Sequence, residues 1–268
     1  MWPARPIGRI IARSMMTARG LSGALLVALM VWPSPAPAHP GLDEQIRELT
    51  ARIEVHSDDA TLFLQRGDAH RAHGDARRAL ADYGRARRID PTLEIVDLRI
   101  GALYLDEGKP RRTLFLLDRY LARRPGDPRG LRIRGRALGV LGRHLEAARD
   151  LGGVIAATTD ARPASPDDYL DLARAFASAG PGYQDRAIRA LDEGMTALGP
   201  IVSLQLPAIA LELEAGRSEA ALSRIETLSP VTRTRMIGRL EAEVRATLRR
   251  EMARPDDAPS EQGHPGGR

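Results

Sequence analysis

Between residues 59 and 160, several residue types recur at a constant spacing of 34 residues. The clearest set is Gly67, Gly101 and Gly135. Other sets with the same step are Gly74, Gly108 and Gly142; Tyr83, Leu117 and Leu151; and Pro91 and Pro125. A fixed period of this length is typical of repeat architectures, in which each unit buries its apolar face only against its neighbours. The sequence therefore predicts an array of stacked units.

Each unit contains two segments with helical character, separated by a turn glycine. In the first unit, Gly67 lies in the first segment and Ala79 in the second, and such small residues allow two helices to pack closely. Gly74 provides the permissive backbone of the turn between them. Pro91 cannot continue the second helix, so it marks the start of the next unit.

This pattern resembles the tetratricopeptide repeat, or TPR. The first unit has the small, aromatic and proline positions of the family at Gly67, Ala79, Tyr83, Ala86 and Pro91. The second unit matches at Ile100, Gly101, Tyr104, Gly108 and Pro125, and the third at Gly135, Gly142 and Ala147. The first unit departs from the family at Arg66, where leucine is preferred, and at His70, where tyrosine is preferred. The resemblance implies an all-α, right-handed TPR superhelical solenoid of about five helix-turn-helix repeats with terminal capping helices.

After residue 161 the period slips at a proline-rich linker, and Asp167 is the predicted N-cap of the next helix. Pro207 lies inside the first helix of the last repeat, which predicts a kink or a delayed helix start. The full division of the chain is a signal peptide (1–38), an N-terminal capping helix (39–58), three regular TPR units (59–161), two divergent units (162–230), a C-terminal capping helix (231–252) and a disordered tail (253–268).

The first 38 residues have the pattern of a secretory signal peptide. Four arginines and no acid precede an apolar segment, Leu21 to Trp32. This segment is shorter than the roughly 20 apolar residues that a bilayer requires. Cleavage after Ala38 would leave His39 as the mature N-terminus and no transmembrane segment in the mature chain, whereas an uncleaved anchor is the alternative. Because the chain is rich in arginine, with Lys109 as its one lysine, we expect a bacterial protein that is periplasmic or secreted.

The charge of the chain gives no support to a nucleic-acid partner. The formal net charge is +5, but four of the 40 basic residues lie in the predicted signal peptide, which leaves 36 against 35 acidic residues. A nucleic-acid-binding protein is expected to keep a basic excess in its mature form. The chain has no cysteine, so disulfides, thiolate catalysis and cysteine metal sites are excluded.

The histidines are the candidates for metal binding. His70 and His73 are three residues apart on one predicted helix, where two imidazoles could ligate zinc. A free amine at His39 beside its imidazole could hold copper together with another histidine such as His56. The competing interpretation is that His70 packs between helices, that His73 is exposed and that the terminus is flexible. The sequence contains none of the common nucleophile, zinc-protease or phosphate-loop motifs, so neither an enzyme nor a cofactor is predicted.

The resemblance also implies a binding groove, because the first helices of TPR units line a concave surface. The candidate partner-binding residues at the groove positions are Leu64, Asp68 and Arg71 in the first unit, Leu98 in the second, Arg129, Arg132 and Arg136 in the third, and Arg174 in the fourth. They predict a groove that is apolar at one end and cationic in the middle, and arginine suits carboxylates and phosphates. The lysine and asparagine of the family's carboxylate clamp are not present, since Leu64 and Asp68 stand in their places. The alternative is that these arginines form an ordinary solvated face.

From these features we expect a periplasmic TPR scaffold or adaptor that binds a protein or peptide, for which an acidic partner is a good fit. The alternative function is a small-ligand or metal-handling accessory protein, which depends on the histidines.

Overall fold

The structure is a computed structural model that describes residues 40–158, 163–233 and 237–252 of the 268-residue chain. The predicted signal peptide, His39 and the predicted C-terminal tail lie outside the described residues.

Every regular element in these ranges is helical. The helices are α1 (Pro40–Val55), α2 (Ala60–Ala72), α3 (Ala76–Ile89), α4 (Ile95–Asp106), α5 (Pro110–Arg123), α6 (Pro128–Val140), α7 (His144–Ala156), α8 (Pro166–Ala179), α9 (Gln184–Leu198), α10 (Val202–Glu214), α11 (Ser218–Thr227) and α12 (Gly238–Met252). Two short pieces accompany them, a 3₁₀ turn at Pro181–Tyr183 and a helical turn at Pro230–Thr232.

Neighbouring helices pack in pairs that follow the sequence repeat. Helix α2 packs on α3, α4 on α5, α6 on α7 and α10 on α11. The first helices of successive units also contact one another, in the order α2, α4, α6 and α8. This face, formed by α2, α4, α6 and α8, is called the first-helix face below.

The glycines of the 34-residue period lie where the two helices of a unit touch. A Cβ atom on Gly67 would lie 2.6 Å from the Tyr83 ring, and one on Gly101 would lie 2.1 Å from Leu117. Gly135 has the same relation to Leu151, at 2.9 Å. Two of the periodic sets are therefore the two sides of one contact, which explains why they keep the same spacing.

Aspartate side chains cap two of the first helices. Asp59 and Asp127 accept hydrogen bonds from the backbone at the starts of α2 and α6. At α8, however, the predicted N-cap Asp167 is wrong, since Ser165 is the N-cap and Asp168 completes a capping box with it. Pro166 occupies the first helical position, where a missing N–H costs nothing, so the helix starts earlier in the chain than an N-cap at Asp167 would allow.

In the C-terminal part, the sequence predicts that Pro207 either kinks the first helix of the last repeat or delays its start. Helix α10 starts at Val202, five residues before Pro207, so the proline does not delay it. Of the predicted C-terminal capping helix, 231–252, the structure places α12 from Gly238 onward, and residues 234–236 lie outside the described residues.

Within the described residues, the chain divides at Leu191 into two compact units, 40–190 and 191–252. In the first unit, a core of buried side chains runs from Leu49 on α1 to Leu121 on α5. In the second, Ile209 and Ile225 pack with Ile237, Leu240 and Val244.

Candidate functional site

Two of the predicted groove residues lie inside the helix packing. Leu64 and Leu98 are both buried in the core of the first compact unit. They therefore stabilise the stack and offer little surface to a partner. The expected apolar end of the groove is not formed by these two side chains.

The other candidates at that end are polar and paired. Asp68 accepts a hydrogen bond of 2.8 Å from the Tyr83 hydroxyl and forms an ion pair of 2.9 Å with Arg99. Arg71 donates from Nε to Asp106 Oδ2 at 2.7 Å. Burial, followed by the hydrogen bond to Asp68, raises the pKa of Tyr83, so the phenol stays protonated and keeps its donor role. The α2–α4 part of the face therefore carries matched charges.

Arg132 forms an ion pair that joins α6 to α8. Its Nη2 donates to Asp168 Oδ2 at 2.9 Å, and the Asp168 side chain has no exposed surface. Burial by itself would raise the pKa of Asp168, but hydrogen bonds from Arg132 and Ser165 outweigh it and hold the pKa below its ordinary value. Arg132 thus neutralises a buried carboxylate and has a structural role.

Arg129 is paired at the start of α6. Its Nη2 lies 2.8 Å from Asp127 Oδ2, and the Tyr120 hydroxyl donates to the same oxygen at 2.6 Å. Burial would raise the pKa of Asp127, but the hydrogen bonds from Arg129 and Tyr120 hold it well below the ordinary range. This arginine is half exposed and lies beside the helix cap.

Arg136 and Arg174 differ from the other arginines of the face because they share one carboxylate. Arg136 Nε donates to Asp171 Oδ2 at 2.6 Å, and Arg174 Nη1 donates to Asp171 Oδ1 at 2.8 Å. Their side chains are 42% and 49% exposed, whereas Asp171 is largely buried beneath them. Two guanidinium groups around one carboxylate leave a net charge of +1, and each guanidinium carries N–H groups in addition to the one that donates to Asp171. We call these three residues the Arg136–Asp171–Arg174 cluster.

A second surface, which the sequence analysis missed, lies between α3, α4 and α5. This α3–α5 cleft has a volume of about 420 Å³ and is lined by Leu80, Arg87, Ile100, Tyr104, Arg111, Arg112, Phe115 and Leu116. Phe115 is 70% exposed. The sequence contains one signal for this cleft. The residues one period before and after Phe115 are Ala81 and Arg149, so a large apolar side chain at this position is particular to the second unit. Helical periodicity alone did not indicate it, since an exposed phenylalanine looks like any other apolar residue in the pattern.

His70 and His73 each lie beside a different aspartate. His70 is buried, with Nε2 3.9 Å from Asp82 Oδ2, and burial is the main cause that lowers its pKa. His73 Nε2 lies 3.2 Å from Asp43 Oδ1 on α1. In residues 40–158, 163–233 and 237–252, no three side chains of the metal-ligating types come together. None of the helices in these same ranges is long and apolar enough to cross a membrane.

No protein-family model and no curated protein sequence matches this chain. Solved structures do match its fold. MamA residues 41 to the end from Desulfovibrio magneticus RS-1 align with a TM-score of 0.54 and 16% identity, covering 73% of this chain and 97% of that one. YrrB, described as a TPR protein with an unusual peptide-binding site, aligns with a TM-score of 0.56 and 14% identity over 76% and 99% of the two chains. The Cut9–Hcn1 hetero-tetramer of APC/C gives a TM-score of 0.59 and 14% identity over 76% of this chain and 40% of that one.

Proposed function

We propose that this chain, which has the tetratricopeptide-repeat fold of those structures, is a scaffold that binds a segment of another protein along its first-helix face. A fold by itself does not specify a function, so the argument depends on the surface that the fold presents. A peptide-binding site is described for YrrB, which supports a peptide as the class of ligand.

The observation that carries the proposal is the Arg136–Asp171–Arg174 cluster. The two guanidinium groups are fixed by a shared, largely buried carboxylate, so little side-chain entropy remains to be lost on binding. Their excess positive charge and remaining N–H donors suit a carboxylate, which arginine binds with two parallel hydrogen bonds. The partner segment is therefore acidic where it crosses α6 and α8.

The neighbouring arginines of the first-helix face add no net positive charge, because each is paired with an aspartate. Arg132 neutralises the buried Asp168, and Arg71 is matched by Asp106, so neither adds an uncompensated charge. The cationic part of the groove is consequently narrower than the five arginines of the sequence pattern predict, and it is centred on Arg136 and Arg174.

The test uses the protein in its native host. A photo-cross-linking amino acid replaces Gly139, which lies one turn after Arg136 and has no atom within 4 Å of its Cβ position. Cross-linked partners are identified by mass spectrometry in the parent and in an Arg136→Glu, Arg174→Glu variant. The matched control is Arg52→Glu, an exposed arginine on α1.

We expect one partner that cross-links to the parent and to the Arg52→Glu control but not to the double variant. Equal cross-linking of the double variant would contradict the assignment of the cluster. Arg132 is left unchanged because a substitution there would leave Asp168, whose side chain has no exposed surface, as an unpaired buried charge.

We further propose that the scaffold acts in the periplasm or outside the cell, after removal of residues 1–38. The support is the signal-peptide pattern of the sequence. Mass spectrometry of the protein isolated from the cell envelope or the medium is expected to give His39 as the first residue, and an intact Met1 would argue against export by cleavage.

A further inference from the structure

We propose that the α3–α5 cleft is a second binding site, which accepts an acidic peptide segment carrying a bulky apolar side chain. This site lies on α3 and on the sides of α4 and α5, and it uses none of the residues of the Arg136–Asp171–Arg174 cluster.

The cleft provides an apolar pocket for one large side chain. Ile100 and Leu116 are buried at its base, and Leu80 and Phe115 remain 37% and 70% exposed. Its volume of about 420 Å³ falls within the range of about 300–1,000 Å³ that is usual for ligand sites. Because an exposed phenylalanine gains free energy when it is covered, this surface favours an occupant that buries it.

The charge of the cleft is unbalanced. Three arginines and no acid line it. Arg87 shares the buried Asp97 with Arg119, so two guanidinium groups surround one carboxylate. Arg111 and Arg112 form no ion pair with any described residue, and the Arg112 guanidinium lies 5.6 Å from the centre of the Tyr104 ring. The occupant must therefore supply negative charge.

The next unit of the repeat contains the equivalent cleft and serves as an internal comparison. That cleft lies between α5, α6 and α7, and six of its lining residues are one 34-residue step after those of the α3–α5 cleft: Leu114, Arg134, Leu138, Glu146, Arg149 and Asp150. Its volume is about 150 Å³.

The equivalent cleft differs in the properties that a ligand would use. Phe115 and Leu116 of the α3–α5 cleft are replaced by Arg149 and Asp150, and Arg112 is replaced by Glu146. Its three arginines are matched by three acids, and Arg134 donates to Asp150 at 2.7 Å. The repeat fold alone thus produces a small, neutral cleft, and the wider, apolar and cationic character of the α3–α5 cleft belongs to its own side chains.

A peptide fits these features better than a membrane does. The apolar base lies inside a concave cleft, where a single inserted side chain can contact Ile100 and Leu116. A lipid surface would contact exposed apolar side chains such as Phe115 but would leave that base uncovered.

The experiment measures fluorescence anisotropy of a labelled short peptide, made of aspartate and glutamate around a central tryptophan–leucine pair, with the full mature chain. Two matched peptides carry lysine in place of the acids or serine in place of the tryptophan and leucine. The protein variants are Phe115→Ser and Arg111→Glu with Arg112→Glu, all at exposed positions. Arg149→Glu, in the equivalent cleft, is the control, and circular dichroism verifies that each variant keeps its helices.

We expect saturable binding only of the peptide that carries both the acids and the tryptophan–leucine pair. Both cleft variants should lose at least about tenfold in affinity for it, which corresponds to about 1.4 kcal/mol. The Arg149→Glu control should bind as the parent does. Absence of saturable binding, equal affinity in the cleft variants or equal binding of the lysine peptide would each overturn the proposal. Sedimentation with phosphatidylglycerol vesicles that depends on Phe115, without peptide binding, would identify the surface as a membrane contact instead and would also overturn it.

Discussion

Arginine–carboxylate pairs take the place of apolar contacts between the helices of two repeat units. Arg66 donates from Nη2 to Asp82 Oδ1 at 2.7 Å in the first unit, and Arg134 pairs with Asp150 in the third. The corresponding residues of the second unit are Ile100 and Leu116, both buried. The departure of Arg66 from the family's leucine is therefore explained by the acid that faces it on α3.

The contribution of the Arg66–Asp82 pair can be tested by replacing it with the apolar pair of the second unit. Asp82→Ala removes the partner of a mostly buried guanidinium, and we expect a loss of about 3 kcal/mol in the free energy of unfolding. The double substitution Arg66→Ile, Asp82→Leu copies the second unit, and it should restore or exceed the parent stability, because an apolar pair has no desolvation penalty. Urea unfolding followed by circular dichroism measures both. A double variant as unstable as Asp82→Ala would show that the pair itself is required.

The periodic glycines make a second prediction at the residue scale. Gly67→Ala forces a Cβ against the fully buried Tyr83 ring, which should destabilise the protein by about 1–3 kcal/mol through overpacking. Gly139→Ala is the matched control in α6, where the Cβ meets nothing within 4 Å, and it should stabilise by about 0.5–1 kcal/mol because alanine favours the helix. Thermal unfolding compares the two, and equal effects would contradict the close-approach argument.

Helix α8 is positioned by one buried carboxylate that serves two elements. Asp168 accepts from the Ser165 backbone N–H at 2.9 Å and so caps its own helix, while it also accepts from Arg132 on α6. The proline-rich linker that precedes it interrupts the period, yet Arg132 and Asp168 still meet across a separation of 36 residues. The ion pair thus joins the two sides of the interruption.

This pair predicts a pH-dependent stability. Since the folded-state pKa of Asp168 is lowered, its contribution is present above the unfolded value of about 3.9 and is lost as the pH falls through the folded-state pKa. Arg132→Met should therefore cost about 3 kcal/mol at pH 7, and less at pH 3, where protonation of Asp168 removes the unpaired buried charge.

The control for this prediction is Arg174→Met, which removes a half-exposed arginine while its partner Asp171 keeps the hydrogen bond from Arg136. This variant should change the stability by less than about 1 kcal/mol at either pH. Urea midpoints at pH 7, 5 and 3 provide the comparison. A loss in Arg132→Met that is the same at every pH would mean that its side-chain packing, and not its charge, matters.

The sequence predicted the all-α TPR architecture, which is confirmed, because a 34-residue period directly records the contact of Gly67 with Tyr83 and its equivalents. It did not predict the pairing of the arginines. Asp168 and Asp171 lie beyond the interruption of the period, so no fixed spacing connects them to Arg132 and Arg136. Likewise, the start of α8 depends on the competition between two neighbouring caps, Ser165 and Asp167, which the residue types alone do not decide.

At the scale of the whole molecule, a repeat protein is stabilised mainly by contacts between neighbouring units. The C-terminal unit illustrates this, because Ile237, Leu240 and Val244 cover Ile209 and Ile225 of α10 and α11. Ile237 and helix α12 thus cover apolar surface that a further repeat would otherwise cover. Each of the three covering side chains contributes roughly 1.5–3 kcal/mol when it is buried.

Truncation after Ser229 removes these side chains and tests whether the array is quasi-one-dimensional. We expect α10 and α11 to lose their protection in hydrogen–deuterium exchange, because Ile209 and Ile225 lose the side chains that cover them. Protection in α2 to α7 should remain within about tenfold of the full chain, since those helices pack on their own neighbours. The matched control is a truncation after Met252, which keeps α12 and should leave every helix protected. If the truncation after Ser229 instead lowers protection in α2 to α7 as much as in α10 and α11, the chain unfolds as one cooperative body. The account of its stability as a sum of contacts between neighbouring units would then be wrong.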